Sequence, residues 1–93
     1  MGEANSTFSL SCGSSTFGTN ETIKWKKIND KILTYLAENN SHYEFTNNGL
    51  QLNIINSTIN DDAYYACELQ HNNTFEVINE YNVIVKSKFS LTL

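Results

Sequence analysis

Apolar and polar residues alternate along this chain in short runs. Phe8, Leu10 and Cys12 fall at a spacing of two, as do Ile23 and Trp25, then Leu50, Leu52 and Ile54, then Tyr65, Cys67 and Leu69, and finally Tyr81, Val83 and Val85. Neighbouring side chains of a strand point to opposite faces, so each set can line one face of a strand and bury it against a core. Residues 13–20, 39–41, 47–49 and 71–74 are rich in Asn, Gly, Ser and Thr and read as turns. No helical period is sustained. The best helical candidate, 31–38, is short, and its β-branched and aromatic residues suit a strand better. The pattern predicts an all-β chain in two packed sheets, with 56–62 crossing from one sheet to the other.

Composition narrows the class. The 93 residues have room for one domain, 1–93, and a core of that size gains from a covalent staple. Hydrophobic residues make up 40% and charged residues 17%, a balance that supports folding. A net charge of −4 argues against nucleic acid as a partner, because such binding rests on Lys and Arg neutralising phosphates. No apolar run approaches the ~20 residues that span a bilayer, so no direct membrane insertion by this segment is expected. The start, Met1 to Ser6, matches the myristoylation pattern M-G-x-x-x-S, a short motif whose cytosolic implication conflicts with the secretory character of the chain's glycosylation sequons. Arg and Pro are absent, while Asn, Ile, Lys and Tyr abound. Their codons are rich in A and T, which points to an AT-rich genome.

The chemistry that changes the picture most is a constellation. Two cysteines stand 55 residues apart, Trp25 follows the first by 13, and 61–67 reads D-x-A-x-Y-x-C, with Leu52 and Ile54 as an L-x-I ahead of it. This resembles the immunoglobulin superfamily, over nearly the whole chain from Phe8 to Lys86. The resemblance implies a Greek-key sandwich in which Cys12 and Cys67 join the sheets, Trp25 packs on the bridge, and Tyr65 bonds back to the backbone at a corner near Asp61. The cysteine spacing suggests a V-like domain, with the intermediate set as the alternative. The motifs depart from the family in two ways. The basic residues Lys26, Lys27 and Lys31 come too early to pair with Asp61, which is therefore expected to lack its usual partner, and no F/W-G-x-G bulge follows Phe75, which argues against an antigen receptor. Leu10-Ser11-Cys12-Gly13, 23–27 and 83–90 look similar to the membrane-distal domain of costimulatory ligands. The resemblance implies an extracellular protein that binds a cell-surface protein, another immunoglobulin-superfamily receptor being the first expectation, in costimulation, inhibition or adhesion. Joined to the AT-rich composition, it suggests a virus-encoded mimic.

Five N-x-S/T sequons, at Asn5, Asn20, Asn39, Asn56 and Asn72, reinforce a secretory history. None falls within 23–34 or 65–70, stretches that the resemblance assigns to the sheet the family labels G-F-C-C′. That bare sheet is the expected binding face. Its outward candidates are Lys24, Lys26, Leu33, Tyr35, Glu68, Gln70 and Phe75, with Val77 beside the last, and a weak homodimer through the same face is a further expectation. The same lysines and Glu68 would equally serve simply to solvate a sheet.

Other chemistry fits poorly. Zinc would need Cys12, Cys67, His42 and His71, which form no close pair of ligands, so no metal or cofactor is expected. There is no G-x-S-x-G or H-E-x-x-H, and His42 and His71 read as loop residues, so no enzyme is expected. The alternative to a recognition module is a structural spacer domain of a glycosylated membrane protein.

Overall fold

The computed structural model describes residues 2–3, 6–13, 21–37 and 41–86. Nine strands are present among them: β1 (Gly2–Glu3), β2 (Phe8–Ser11), β3 (Glu21–Asn29), β4 (Ile32–Tyr35), β5 (Tyr43–Thr46), β6 (Gln51–Ile54), β7 (Ala63–His71), β8 (Thr74–Val83) and β9 (Val85–Lys86). They form a three-stranded sheet in the order β2-β6-β5 and a four-stranded sheet in the order β4-β3-β7-β8, both antiparallel, while β1 pairs parallel with β9. The chain changes sheet between β2 and β3, between β4 and β5, and between β6 and β7, which is a Greek-key order. The expected two-sheet all-β sandwich is the structure found.

The period-two sets supply the core between the sheets. Leu10, Leu52 and Ile54 from one sheet meet Trp25, Tyr65, Cys67 and Val83 from the other, all buried. Cys12 and Cys67 form a disulfide across the gap with their Cα atoms 5.7 Å apart, and Trp25 stands opposite Cys67 in the β3–β7 register. The Trp25 indole Nε1 donates to the Gly49 carbonyl at 2.8 Å, so the buried ring keeps no unpaired donor.

Three elements add to or depart from the expected pattern. A turn at Asp30–Lys31, both with positive φ, folds β4 back on β3 as a hairpin. Asp30 is a residue type that tolerates this conformation, but Lys31 stands where such turns usually carry a glycine. Strand β5 carries only one period-two pair, Tyr43 and Phe45 about Glu44, and its run ends at the turn, so its signal is short. The region 56–62 crosses between sheets as expected, and does so through a 3₁₀ turn at Ile59–Asp61 capped by Thr58.

Candidate binding face

The pleat decides which side chains face outward on the four-stranded sheet. Ile23 and Trp25 point inward on β3, so Thr22, Lys24, Lys26 and Ile28 point outward. The register then places Leu33 beside Ile28, Tyr35 beside Lys26, and Glu68 beside Lys24. Across the next ladder, Gln70 lies opposite Phe75, Glu68 opposite Val77 and Ala66 opposite Glu80. A bulge at Cys67/Glu68 makes Ile78 an extra residue of β8, so Phe75 and Val77 keep their outward direction while Tyr81 and Val83 turn inward. All seven binding-face candidates therefore lie on one face.

Large apolar groups stand open on this face. Leu33 is 49% exposed, Tyr35 46%, Phe75 61% and Val77 44%. They sit on the two outermost strands, β4 and β8, and flank a polar centre. The outer face of the other sheet is different in kind. There Ser9, Glu44, Thr46, Gln51 and Asn53 form a hydrogen-bonded lattice, in which Asn53 accepts from Ser9 at 2.6 Å and donates to Glu44 at 2.9 Å.

Glu68 is the exception to the expected exposure, being only 4% accessible. Its outward direction is as the pattern predicts, but its neighbours fold over it. Lys26 Nζ lies 3.1 Å from Oε2, Tyr35 donates its hydroxyl to Oε1 at 2.9 Å, and Gln70 Nε2 donates to Oε1 at 3.2 Å. Burial alone would raise the Glu68 pKa, but the hydrogen bonds from Lys26, Gln70 and Tyr35 outweigh it and hold the carboxyl below its ordinary value. The same bond raises the Tyr35 phenol, because a phenolate could not donate to the carboxylate beside it. Lys24 remains exposed and Gln70 half-buried.

At the sheet-crossing end, Asp61 is buried and does have a partner. Its Oδ1 lies 2.7 Å from His42 Nε2, and its Oδ2 accepts from the Thr58 backbone N–H at 2.7 Å. His42 immediately precedes β5, so the partner of Asp61 is a histidine and none of the lysines upstream of it. His42 is thus more than a loop residue, and Asp61 is not unpaired. Tyr65 donates its hydroxyl to the Asp61 carbonyl at 2.8 Å, and burial, with Tyr43 and Asp61 nearby, pushes its pKa upward. Lys27 reaches the same corner, donating to Asn60 O at 3.1 Å. His71, at the far end of the sheet, sits 3.7 Å from Glu21.

Two sequons lie within the described residues. Asn72 is exposed at the β7–β8 hairpin, and Asn56 is exposed just after β6. Asn5, Asn20 and Asn39 lie outside the described residues.

No protein-family model matches the chain, and no curated protein sequence does. Solved structures do match. The N-terminal eight Ig domains of Down Syndrome Cell Adhesion Molecule, isoform 1.30.30, superpose with a TM-score of 0.68 at 17% identity, covering 92% of this chain and 10% of that one. The extracellular fragment of Novel Immune-Type Receptor 11 from Ictalurus punctatus gives 0.67 at 17% identity, covering 94% and 92%. The corresponding fragment of Novel Immune-Type Receptor 10 from the same fish gives 0.66 at 18%, again covering 94% and 92%. The chain has the immunoglobulin fold. Within that fold, β2, β5 and β6 take the places of strands B, D and E, and β4, β3, β7 and β8 those of C′, C, F and G. The Cys12–Cys67 bridge, Trp25 against it and the Tyr65 hydroxyl on the corner backbone occupy the hallmark positions of the fold. Among the described residues, no helix is long and apolar enough to cross a membrane.

Proposed function

We propose that this chain is an extracellular recognition module that binds a cell-surface protein through the outer face of the β4-β3-β7-β8 sheet. The observation that carries the reading is the contrast between the two outer faces. Leu33, Tyr35, Phe75 and Val77 are open to solvent on one, while the other is a closed polar lattice. Apolar anchors around a fixed polar centre are what a modest protein interface uses. The Cys12–Cys67 disulfide supports an oxidising, extracellular setting. Neighbours in structure that are named as receptors and an adhesion molecule support recognition as the general role.

The finer reading is a V-like domain, supported by β4, a strand added beside the C-F-G set that constant-type domains lack. Its partner is read as another immunoglobulin-superfamily receptor, in costimulation, inhibition or adhesion. The AT-rich residue usage supports a viral mimic of a host protein. Use of the sequons, and weak pairing of the face with its own copy, belong to the same proposal.

The test is binding of a fluorescent tetramer of the protein to cells displaying a library of ectodomains. The expected result is a specific hit that a Leu33→Lys, Phe75→Lys variant loses while it stays folded. Binding that survives in the variant, or no binding to any ectodomain, would overturn the assignment and favour a spacer domain.

A further inference from the structure

The turn between β5 and β6 carries three consecutive residues with left-handed backbone: Asn47 with φ 56°, Asn48 with φ 58° and Gly49 with φ 87°. Asn48 is exposed, and it is the one Asn of the chain that precedes a glycine. Glycine puts no Cβ beside its own amide nitrogen, so nothing shields that nitrogen from the preceding carboxamide. The same turn is fastened to the core. The Gly49 carbonyl accepts from Trp25 Nε1 at 2.8 Å, and the next carbonyl, that of Leu50, accepts from the Cys12 N–H at 2.8 Å.

We infer that Asn48–Gly49 is a site of spontaneous modification, where deamidation to isoaspartate loosens the hold of the turn on the core residue Trp25. The Gly49 amide nitrogen, once deprotonated, attacks Cγ of Asn48. A C–N bond forms, a succinimide ring closes, and the side-chain nitrogen leaves as ammonia. One water then opens the ring at either carbonyl, giving aspartate or isoaspartate, with one negative charge gained and no change of oxidation state. The Gly49 N–H donates to the Thr46 carbonyl at 3.1 Å, so that bond must open first, and turn opening sets the rate.

Isoaspartate lengthens the main chain by one methylene between Asn47 and Gly49. The turn is short, with Thr46 paired to Gln51 on either side of it, so the extra length moves the Gly49 carbonyl. Trp25 then loses the acceptor of its only polar side-chain group, leaving a buried donor unsatisfied. Trp25 belongs to β3, the strand that carries Lys24 and Lys26 on the proposed binding face, so the chemistry of a remote turn reaches that sheet through one hydrogen bond.

The test is incubation of the disulfide-bonded protein at mildly alkaline pH and body temperature, with peptide-mapping mass spectrometry, isoaspartate quantitation and tryptophan emission read on one time course. Trp25 is the sole tryptophan, so emission reports on it alone. The expected result is that Asn48 converts before any other Asn and that emission shifts to the red as isoaspartate accumulates. An Asn48→Gly variant, whose residue suits the left-handed φ and has no carboxamide, should show neither change. Conversion of another Asn ahead of Asn48, or persistence of Asn48 as Asn, would overturn the site. Isoaspartate at residue 48 with unchanged emission and melting temperature would overturn the link to Trp25.

Discussion

His42 Nε2 lies 2.7 Å from Oδ1 of Asp61, so a histidine at the entry to β5 partners the buried aspartate of the D-x-A-x-Y-x-C run. Removing the ring leaves a carboxylate oxygen in a site with 2% side-chain accessibility. His42→Ala is expected to cost about 1–3 kcal/mol, the usual penalty for orphaning a buried polar group. His42→Arg, which restores a donor to the same oxygen, should recover most of it. Urea denaturation of the two variants beside the unsubstituted protein measures both effects; a His42→Ala midpoint equal to that of the unsubstituted protein would mean that the pair contributes nothing.

Tyr65→Phe deletes one hydroxyl and leaves the Asp61 carbonyl without its side-chain donor. The expected loss is about 1–2 kcal/mol with the fold retained, since the ring still fills its place in the core. Thermal unfolding followed by circular dichroism reads this as a lower Tm with an unchanged native spectrum.

Glu68 gives a pH dependence with a definite sign. Its folded pKa lies below the ordinary value of 4.5, so its contribution to stability is complete above that value and disappears as the pH falls through the lower folded pKa. Denaturant titrations across the acid range should show a fall in stability that is smaller in Glu68→Gln. An identical acid profile in the variant would remove Glu68 from the account. The same variant should lower the raised titration of the Tyr35 phenol, which ultraviolet difference spectra resolve.

Phe75→Ser and Leu33→Ser change side chains that are already open to water, so stability should move by less than about 0.5 kcal/mol. The expected readout is weaker retention on a hydrophobic resin at equal Tm. A large drop in Tm would mean that these residues pack into the fold.

Reducing the Cys12–Cys67 bridge, or replacing both cysteines with Ala, should cost about 2–5 kcal/mol. A Tm that does not respond to reductant would argue against a stabilising role for the bridge.

The fold was legible in the sequence because its information is local and repeated. Spacings of two at Phe8-Leu10-Cys12, Leu50-Leu52-Ile54 and Tyr65-Cys67-Leu69 fix inward faces, and a strand that slips by one residue would bury its polar set instead. The cysteines, Trp25 and Tyr65 add roles that few arrangements satisfy together. The direction of Lys24, Lys26, Glu68 and Gln70 followed from the same parity, whereas Phe75 shares the parity of the inward Tyr81 and Val83 and faces outward only because of the bulge at Cys67/Glu68.

Exposure and partnership were decided only when the strands came together. Glu68 points outward by parity, yet it is covered because Tyr35 arrives from β4 and Lys26 from β3, neighbours set by strand order. Asp61 found His42 because β5 begins beside the crossing turn, a proximity that no spacing in the chain records. Period and motif determine which face a side chain takes as long as the strand is unbroken; where a bulge interrupts it, as between Val77 and Asn79, and what lies over each side chain depend on residues brought from elsewhere in the chain, and that belongs to the tertiary structure alone.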